Sequence, residues 1–345
     1  MRKFSDWKHM KSKTKNLLSD EQITHLVKAN FGEKTEVGKI EELKGGMFNS
    51  AYRIERITPD DPIILKVSVR PGTPVLSYEK DLMRTEVEVY RMISEQTSIP
   101  VPKILCADFS KRIIDSDYFF MTALKGEVMT GIQKKLSKEN LSTIKKNLGN
   151  YFAQIHRIKG PYFGYFTTDP SRQFASWKEA FLSMNRDILN DGKAHGVSLP
   201  YTRIENALEK TSSLLDAIRE PTLVDYDLWT GNIFLIKNGD SYQIEGIVDF
   251  ERAFWGDPYA DFPPIFMVSE DIWKDPFFWS SYSDASTTKK EVTGDDQVRI
   301  TLYKMYIWLI MAVETYRYGF LYGLLQKIYA KRVAMKYLKQ LEMIL

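Results

Sequence analysis

The 345-residue sequence has one cysteine, Cys106, so no internal disulfide forms within the chain. That fits a reducing, cytoplasmic setting, and it excludes zinc sites of the cysteine-rich kind. Histidine is scarce: His9, His25, His156 and His195 show no metal-ligand spacing. His156, in QIHRI beside an apolar helix face, reads as a satisfied core histidine. There is no Gly-x-Ser-x-Gly elbow and no Walker A sequence, so neither a hydrolase elbow nor a P-loop has its residues. A His-Arg-Asp triplet and an Ala-Pro-Glu segment are missing too, which argues against a kinase acting on protein substrates. Long apolar runs are absent. The most apolar stretch, MYIWLIMAV at residues 305–313, is bracketed by Lys304 and Glu314. It falls far short of the ~20 residues that span a bilayer and reads as a buried helix. Charge of one sign is lacking as well: 48 basic and 45 acidic residues leave +3, too little to demand a nucleic-acid partner.

What is present is a globular composition, 43% hydrophobic and 13% aromatic, able to bury a full core. The length suggests two domains or lobes. The first 16 residues, MRKFSDWKHMKSKTKN, are basic without a following apolar run. They read as a solvated, partly frayed leader rather than an export signal. Ser19 and Gln22 have the spacing of a capping box, which predicts a first helix through Ile23, Leu26 and Val27. VGKIEEL, AYRIERI and IILKVSV, separated by turn residues, predict an antiparallel meander. A helix with Leu82, Val89, Met92 and Ile93 inward comes next, then the strand SDYFFMTAL. Beyond Gly126 the apolar steps are mostly helical, with short extended runs at LVDY, IFLI and GIVDF. Two long helices, about residues 297–317 and 322–344, close the chain. The expected architecture is α+β. A nucleotide-binding N-terminal lobe covers residues 1–124, with a helical leader to about 36, and a helical lobe covers 125–345, with a cleft between them.

The densest chemistry lies in LVDYDLWTGNIFL and GIVDFE. Asp227 and Asn232 are five apart, and Asp249 follows 17 residues after Asn232. Asp227 and Asn232 come just after one apolar run, and Asp249 ends a second. Two such extended runs can pair and bring their ends together. Asp227 would then accept a proton from a substrate hydroxyl. The amide oxygen of Asn232 and the carboxylate of Asp249, both hard donors, would share Mg²⁺. Phosphoryl transfer needs this set, because it asks for positioning and charge neutralisation. From Asp225 to Asp271 ten acids face only Lys237 and Arg252, a segment suited to a cation and an amine-bearing substrate. In the N-terminal third, Gly45 and Gly46 mark a turn followed by Asn49 and Ser50, whose backbone NH groups can approach phosphate. Lys66 sits inside an apolar strand and needs an anion or a solvent edge. Glu86 is its first candidate counter-ion and Glu88 the second. Each of these residues also has a plain structural reading, as a turn, an edge lysine or an exposed helix carboxylate.

With KGGMFNSAYRI, ILKVSV, RTEVEVYRMI, IPVPKILCAD, FFMTALKGE, FAQIHRI, LVDYDLWTGNIFL and GIVDFERAFWGDPYADF in view, residues 37–265 resemble a known group. It is the aminoglycoside phosphotransferase and choline kinase-like family of small-molecule kinases. The resemblance implies a bilobal protein-kinase-like fold, with a small antiparallel-sheet N-lobe and a larger helical C-lobe. It implies Asp227 as catalytic base, Asn232 and Asp249 as metal ligands, and Lys66 with Glu86 at the phosphates. Phe120, Met121, Thr122, Ala123 and Leu124 match the hinge that receives the nucleotide base. The co-substrate is ATP or GTP with Mg²⁺, and the acceptor is a small, polar hydroxyl compound. Neither nucleic acid nor membrane is expected as partner, and the chain is a monomer or homodimer. Alternatives are a metabolite kinase for a choline-like alcohol, amino alcohol or sugar amine, or a nucleotide-binding pseudokinase without turnover. Two departures stand out. Asp225-Tyr226 occupies the place of the usual His-Gly before the base, so Tyr226 must adopt ordinary backbone angles or be strained. Asp225 either raises a pKa by repulsion or points away to bond the backbone.

Overall fold

The computed structural model describes residues 14–44, 48–58, 61–286 and 291–344. They fall into two compact units. The first takes the described residues up to Val75, with Pro102–Leu124 and Arg317–Gly323. The second takes Leu76–Val101, the described part of Lys125–Tyr316, and the chain from Leu324 onward.

In the first unit the predicted capping box is formed: Ser19 Oγ accepts from Gln22 N–H, and Gln22 Oε1 accepts from Ser19 N–H. It starts α1 (Asp20–Phe31), which buries Ile23, Leu26 and Val27 completely. Five antiparallel strands make one sheet: β1 (Glu36–Glu42), β2 (Ser50–Thr58), β3 (Ile63–Val67), β4 (Ile104–Asp108) and β5 (Tyr118–Thr122). Their order is β1-β2-β3-β5-β4, so the predicted meander is extended by the two later strands. The α1 face closes on Tyr52, Ile54, Ile63, Leu65, Val67, Tyr118 and Phe120, where each buried aliphatic side chain contributes roughly 1.5–3 kcal/mol. Residues 14–16, expected to fray, are instead tied down. Thr14 Oγ1 donates to the Phe48 carbonyl, and Asn16 Nδ2 donates to Ser116 Oγ at 2.9 Å. Buried polar groups need such partners, and here they find them 34 and 100 residues away in sequence, beyond the reach of local pattern.

The second unit is mostly helical. It contains α2 (Leu82–Gln96), β6 (Glu127–Val128), α3 (Met129–Ile132), α4 (Lys138–Ile155), β7 (Gly164–Tyr165), α5 (Trp177–Ala194) and α6 (Tyr201–Thr211). After these come β8 (Thr222–Val224), β9 (Ile233–Asn238), β10 (Ser241–Ile247), β11 (Phe254–Gly256), α7 (Pro276–Ala285), α8 (Gly294–Val313) and, from Leu324 onward, α9 (Phe320–Ile344). The strands form two small antiparallel sheets, β10-β9-β6 and β7-β11-β8. Helices α4 and α7 approach so closely that a Cβ on Gly149 would lie 2.3 Å from the Phe278 carbonyl oxygen. Phe152 meets Phe278 edge-on there at 5.5 Å. The apolar run at residues 305–313 is a buried helix, as predicted, within α8.

Candidate active site

The site is built on two turns of the second unit. β8 ends at Val224, and the chain runs through Asp225, Tyr226 and Asp227 before re-entering β9 at Ile233. β9 and β10 pair with Ile233 opposite Ile247. The run before Asp227, β8, pairs with β11 instead, so it is the run after Asn232, not the one before Asp227 as the sequence suggested, that meets the run ending at Asp249. The Val248 N–H then donates to the Asn232 carbonyl at 3.0 Å, which sets Asp249 beside the end of the first turn. Asn232 Nδ2 donates to the Asp227 carbonyl at 2.9 Å. The amide nitrogen thus braces the turn that carries Asp227, and the amide oxygen is the atom a cation would take.

Two residues in these turns have left-handed backbones: Tyr226 at φ 59° and Asp249 at φ 74°. For a bulky residue such as tyrosine this region costs about 1–3 kcal/mol and persists only where neighbours over-determine it. The neighbours are visible. Tyr226 N–H donates to Asp261 Oδ1 at 2.7 Å, and its hydroxyl donates to the Tyr303 carbonyl at 2.8 Å. Its ring packs on Phe254 and Tyr306, with centroids 5.1 and 5.9 Å away. Asp261 Oδ2 lies 3.0 Å from His156 Nε2, and His156 Nδ1 is 3.0 Å from the Tyr282 hydroxyl, so His156 is the satisfied core histidine expected. Asp257 caps the short turn started by Pro258 and also accepts from Arg299 and Tyr303. These ties hold the strained turn where a glycine would have needed none. Tyr226→Phe removes one of them. It is expected to lower stability by about 0.5–1.5 kcal/mol in urea unfolding while leaving nucleotide KM unchanged.

A cluster of oxygen donors surrounds Asp249. One carboxylate oxygen each from Glu86 of α2, Asp249 and Glu251 lie within 4.8 Å of one another. The Asp249 N–H donates to the Tyr90 hydroxyl at 3.1 Å, which ties this turn to α2. Carboxylates at that separation repel unless a cation or proton stands between them, and all are hard donors suited to Mg²⁺. The residues present therefore fit a divalent cation. Glu251 is the member the sequence reading missed. Its place two residues after Asp249 was legible, but a single acid in a turn carries no signal of its own. Glu86, read from sequence as a partner for Lys66, is fully buried on α2 within this cluster.

Asp227 is partly exposed, and burial followed by the charges of Asp249, Glu251 and Glu314 pushes its carboxyl well above the usual carboxylate range. Arg252 opposes this, with Nε 3.7 Å from Asp227 Oδ2. The guanidinium is drawn mainly to Glu314, whose Oε1 is 2.6 Å from Nη2. It also lies over the Tyr78 ring, 5.5 Å from the centroid, and Tyr78 OH bonds the same Glu314 oxygen. Neither Glu314 nor Tyr78 was singled out from sequence, since each sits far from Arg252 along the chain. Asp225 is buried with neither carboxylate oxygen hydrogen-bonded. Of the two readings of Asp225, repulsion wins over a bond to backbone. Burial first, then Asp261 and Asp227, hold its carboxyl well above the usual range. The Asp227 backbone N–H lies near enough to temper the shift but not in hydrogen-bond geometry.

The remaining predicted residues lie in the first unit. Asn49 and Ser50 are buried at the start of β2, while Gly45 and Gly46 lie outside the described residues. Lys66 is buried on β3, with Nζ 6.0 Å from the Phe119 ring centroid. Phe120, Met121 and Thr122 belong to β5, paired with β3. Thr122 N–H donates to the Lys103 carbonyl and Ala123 N–H to the Pro62 carbonyl. Among the described residues, the Leu124 N–H donates to no backbone carbonyl. In the second unit, the amides of Lys125 and Gly126 both bind Glu245. A Cβ on Gly126 would lie 2.3 Å from the Leu235 carbonyl oxygen, so this position requires glycine.

Residues 39–288 match the model of the phosphotransferase enzyme family. The chain belongs to that family. Among solved structures, a thermostable mutant of aminoglycoside phosphotransferase APH(4)-Ia in its apo form is 15% identical, with a TM-score of 0.60 over 92% of this chain and 98% of its own. Aminoglycoside phosphotransferase APH(2″)-Ib, solved with ADP, is 16% identical, with a TM-score of 0.58 over 93% and 97%. APH(2″)-IIa, solved with gentamicin, is 17% identical, with a TM-score of 0.59 over 94% and 97%. A search of curated protein sequences gave no match. The structural likenesses establish the fold: this phosphotransferase has the kinase-like α+β architecture the sequence motifs implied.

Proposed function

We propose that this phosphotransferase moves the γ-phosphate of ATP or GTP to a hydroxyl of a small, polar, amine-bearing acceptor. One observation carries the reading. Asn232 braces the Asp227 turn, and the β9–β10 pair sets Asp249 beside it, next to Glu86 and Glu251. Asp227 accepts the acceptor's hydroxyl proton as the oxygen attacks phosphorus. Asn232, Asp249 and Glu251 would hold Mg²⁺, which neutralises phosphate charge when bound. Lys66 would contact the α- and β-phosphates, with Glu86 as the partner the resemblance implies, and backbone NH groups of Gly45, Gly46, Asn49 and Ser50 would approach them. Phe120, Met121, Thr122, Ala123 and Leu124 receive the nucleotide base, with the Leu124 amide as hydrogen-bond donor. Residues 1–124 then serve the nucleotide and 125–345 the acceptor. An amine-bearing acceptor suits the surplus of acids between Asp225 and Asp271.

The test is Mg²⁺-dependent ADP or GDP release against aminoglycosides, macrolides, choline-like alcohols and sugar amines, with Asp227→Asn in parallel. Release stimulated by one acceptor class and lost in the variant supports the proposal and names the substrate. Slow background hydrolysis that needs Asp227, with a flat panel, means the acceptor was not among those tried. Nucleotide binding without any Asp227-dependent release overturns the proposal in favour of a pseudokinase.

A further inference from the structure

A second surface with its own chemistry lies on α9, within the second unit from Leu324 onward. The inward ridge of this helix is Ala330, Ala334, Leu338 and Leu341, all fully buried at steps of three and four residues. The outward ridge is Leu325, Ile328, Arg332, Lys336 and Lys339, at the same steps and all exposed. An amphipathic surface helix normally turns polar side chains outward. Here Leu324, Leu325, Ile328 and Tyr329 remain 43%, 56%, 58% and 51% exposed over neighbouring turns. Such a run of large apolar groups on one face marks a contact surface rather than scattered exposure.

The charges say what the contact is. Between Leu324 and Leu341 the helix carries Lys327, Lys331, Arg332, Lys336 and Lys339, and no acid. Among the described residues, only Lys336 of these forms an ion pair, with Glu270 at 3.1 Å, in an exposed setting. A second copy of this face would set cations against cations, so self-association is disfavoured. A surface that takes aliphatic side chains and anion-binding cations side by side is an anionic bilayer interface. No helix among the described residues is long and apolar enough to cross a membrane, so the helix would lie on the surface.

We propose that α9 docks this protein on an anionic lipid surface. Leu324, Leu325, Ile328 and Tyr329 enter the headgroup layer, and Arg332, Lys336 and Lys339 meet lipid phosphates. This runs against the expectation of no membrane partner and is independent of the phosphotransferase reading.

The test is flotation of the full chain with two kinds of vesicle, phosphatidylcholine alone or phosphatidylcholine and phosphatidylglycerol in equal parts. Binding to the anionic vesicles, weakened by salt, and little binding to the neutral ones is expected. Each cation reversed among Arg332→Glu, Lys336→Glu and Lys339→Glu should weaken partitioning at least about fivefold. Leu325→Gln with Ile328→Gln should weaken it by a similar factor. All these side chains are exposed, so thermal melting should not move, apart from a small drop for Lys336→Glu, which loses the Glu270 pair and sets two acids side by side. Failure to float with anionic vesicles overturns the proposal. So does equal floating of the variants, which would place the contact elsewhere, for example in the basic residues 1–13. A dimer in light scattering that the variants dissolve would give the face to a second copy, against the proposal.

Discussion

Asp227→Asn is expected to lower turnover by about 10²–10⁴-fold with nucleotide affinity nearly unchanged. The side chain keeps its shape, and Asn232 bonds the Asp227 carbonyl, which the substitution leaves in place. What is lost is the acceptor for the hydroxyl proton. The pH profile supplies a second check. Burial and the surrounding acids raise the Asp227 carboxyl above its ordinary value of 3.8. A base with a raised pKa is ionised only above it, so kcat/KM of the wild type should rise with pH through a limb above the ordinary carboxylate range. That limb should vanish in Asp227→Asn. Asp249→Ala should fail by another route. Its loss of turnover should be partly restored by raising Mg²⁺, which Asp227→Asn should not be. Identical Mg²⁺ responses in the two variants would contradict their separate roles.

The parts of the protein that were legible in the sequence are those that repeat locally. The Ser19–Gln22 box, the strand alternation before Val67 and the helical steps of α4 and α5 each report a nearby environment, and each element formed. That Asp227, Asn232 and Asp249 lie near strand ends was legible from the apolar runs beside them, but the partner was not: the run before Asp227 pairs with β11, and the run after Asn232 meets β10. The Arg252–Glu314 pair was not legible, since it joins residues 62 apart and leaves no periodic trace. The same holds for Glu245 clamping the amides of Lys125 and Gly126. Tyr226 lies between these cases. Its sequence said that the backbone would be ordinary or strained, and only its contacts with Asp261, Tyr303 and Phe254 explain how the strain is held.

Asp225→Asn is expected to stabilise the protein at neutral pH, with a gain that grows as pH rises. The wild-type carboxyl is buried among Asp261, Asp227 and Asp249, and no hydrogen bond reaches either oxygen. In the folded protein it holds its proton well above the ordinary value of 3.8. Below 3.8 both folded and unfolded chains are protonated at this site and it contributes no pH dependence. Above that value the unfolded chain releases the proton and the folded chain does not. Folded stability then falls by about 1.4 kcal/mol for each pH unit, until the folded-state pKa is reached and the loss levels off. Asparagine is neutral throughout and removes this slope. The buried amide still lacks partners, as the neutral acid did, so the two proteins should be nearly equally stable near pH 4. Urea unfolding of both across the pH range would show the curves separating as pH increases. Parallel curves would mean that Asp225 ionises freely in the folded state, and that its carboxyl has a partner the buried geometry denies it. The same experiment bears on catalysis. A neutral Asp225 leaves Asp227 with one fewer negative neighbour, so Asp225→Asn should change the pH limb of kcat/KM little. A large acid shift of that limb would show that Asp225 is charged when Asp227 works.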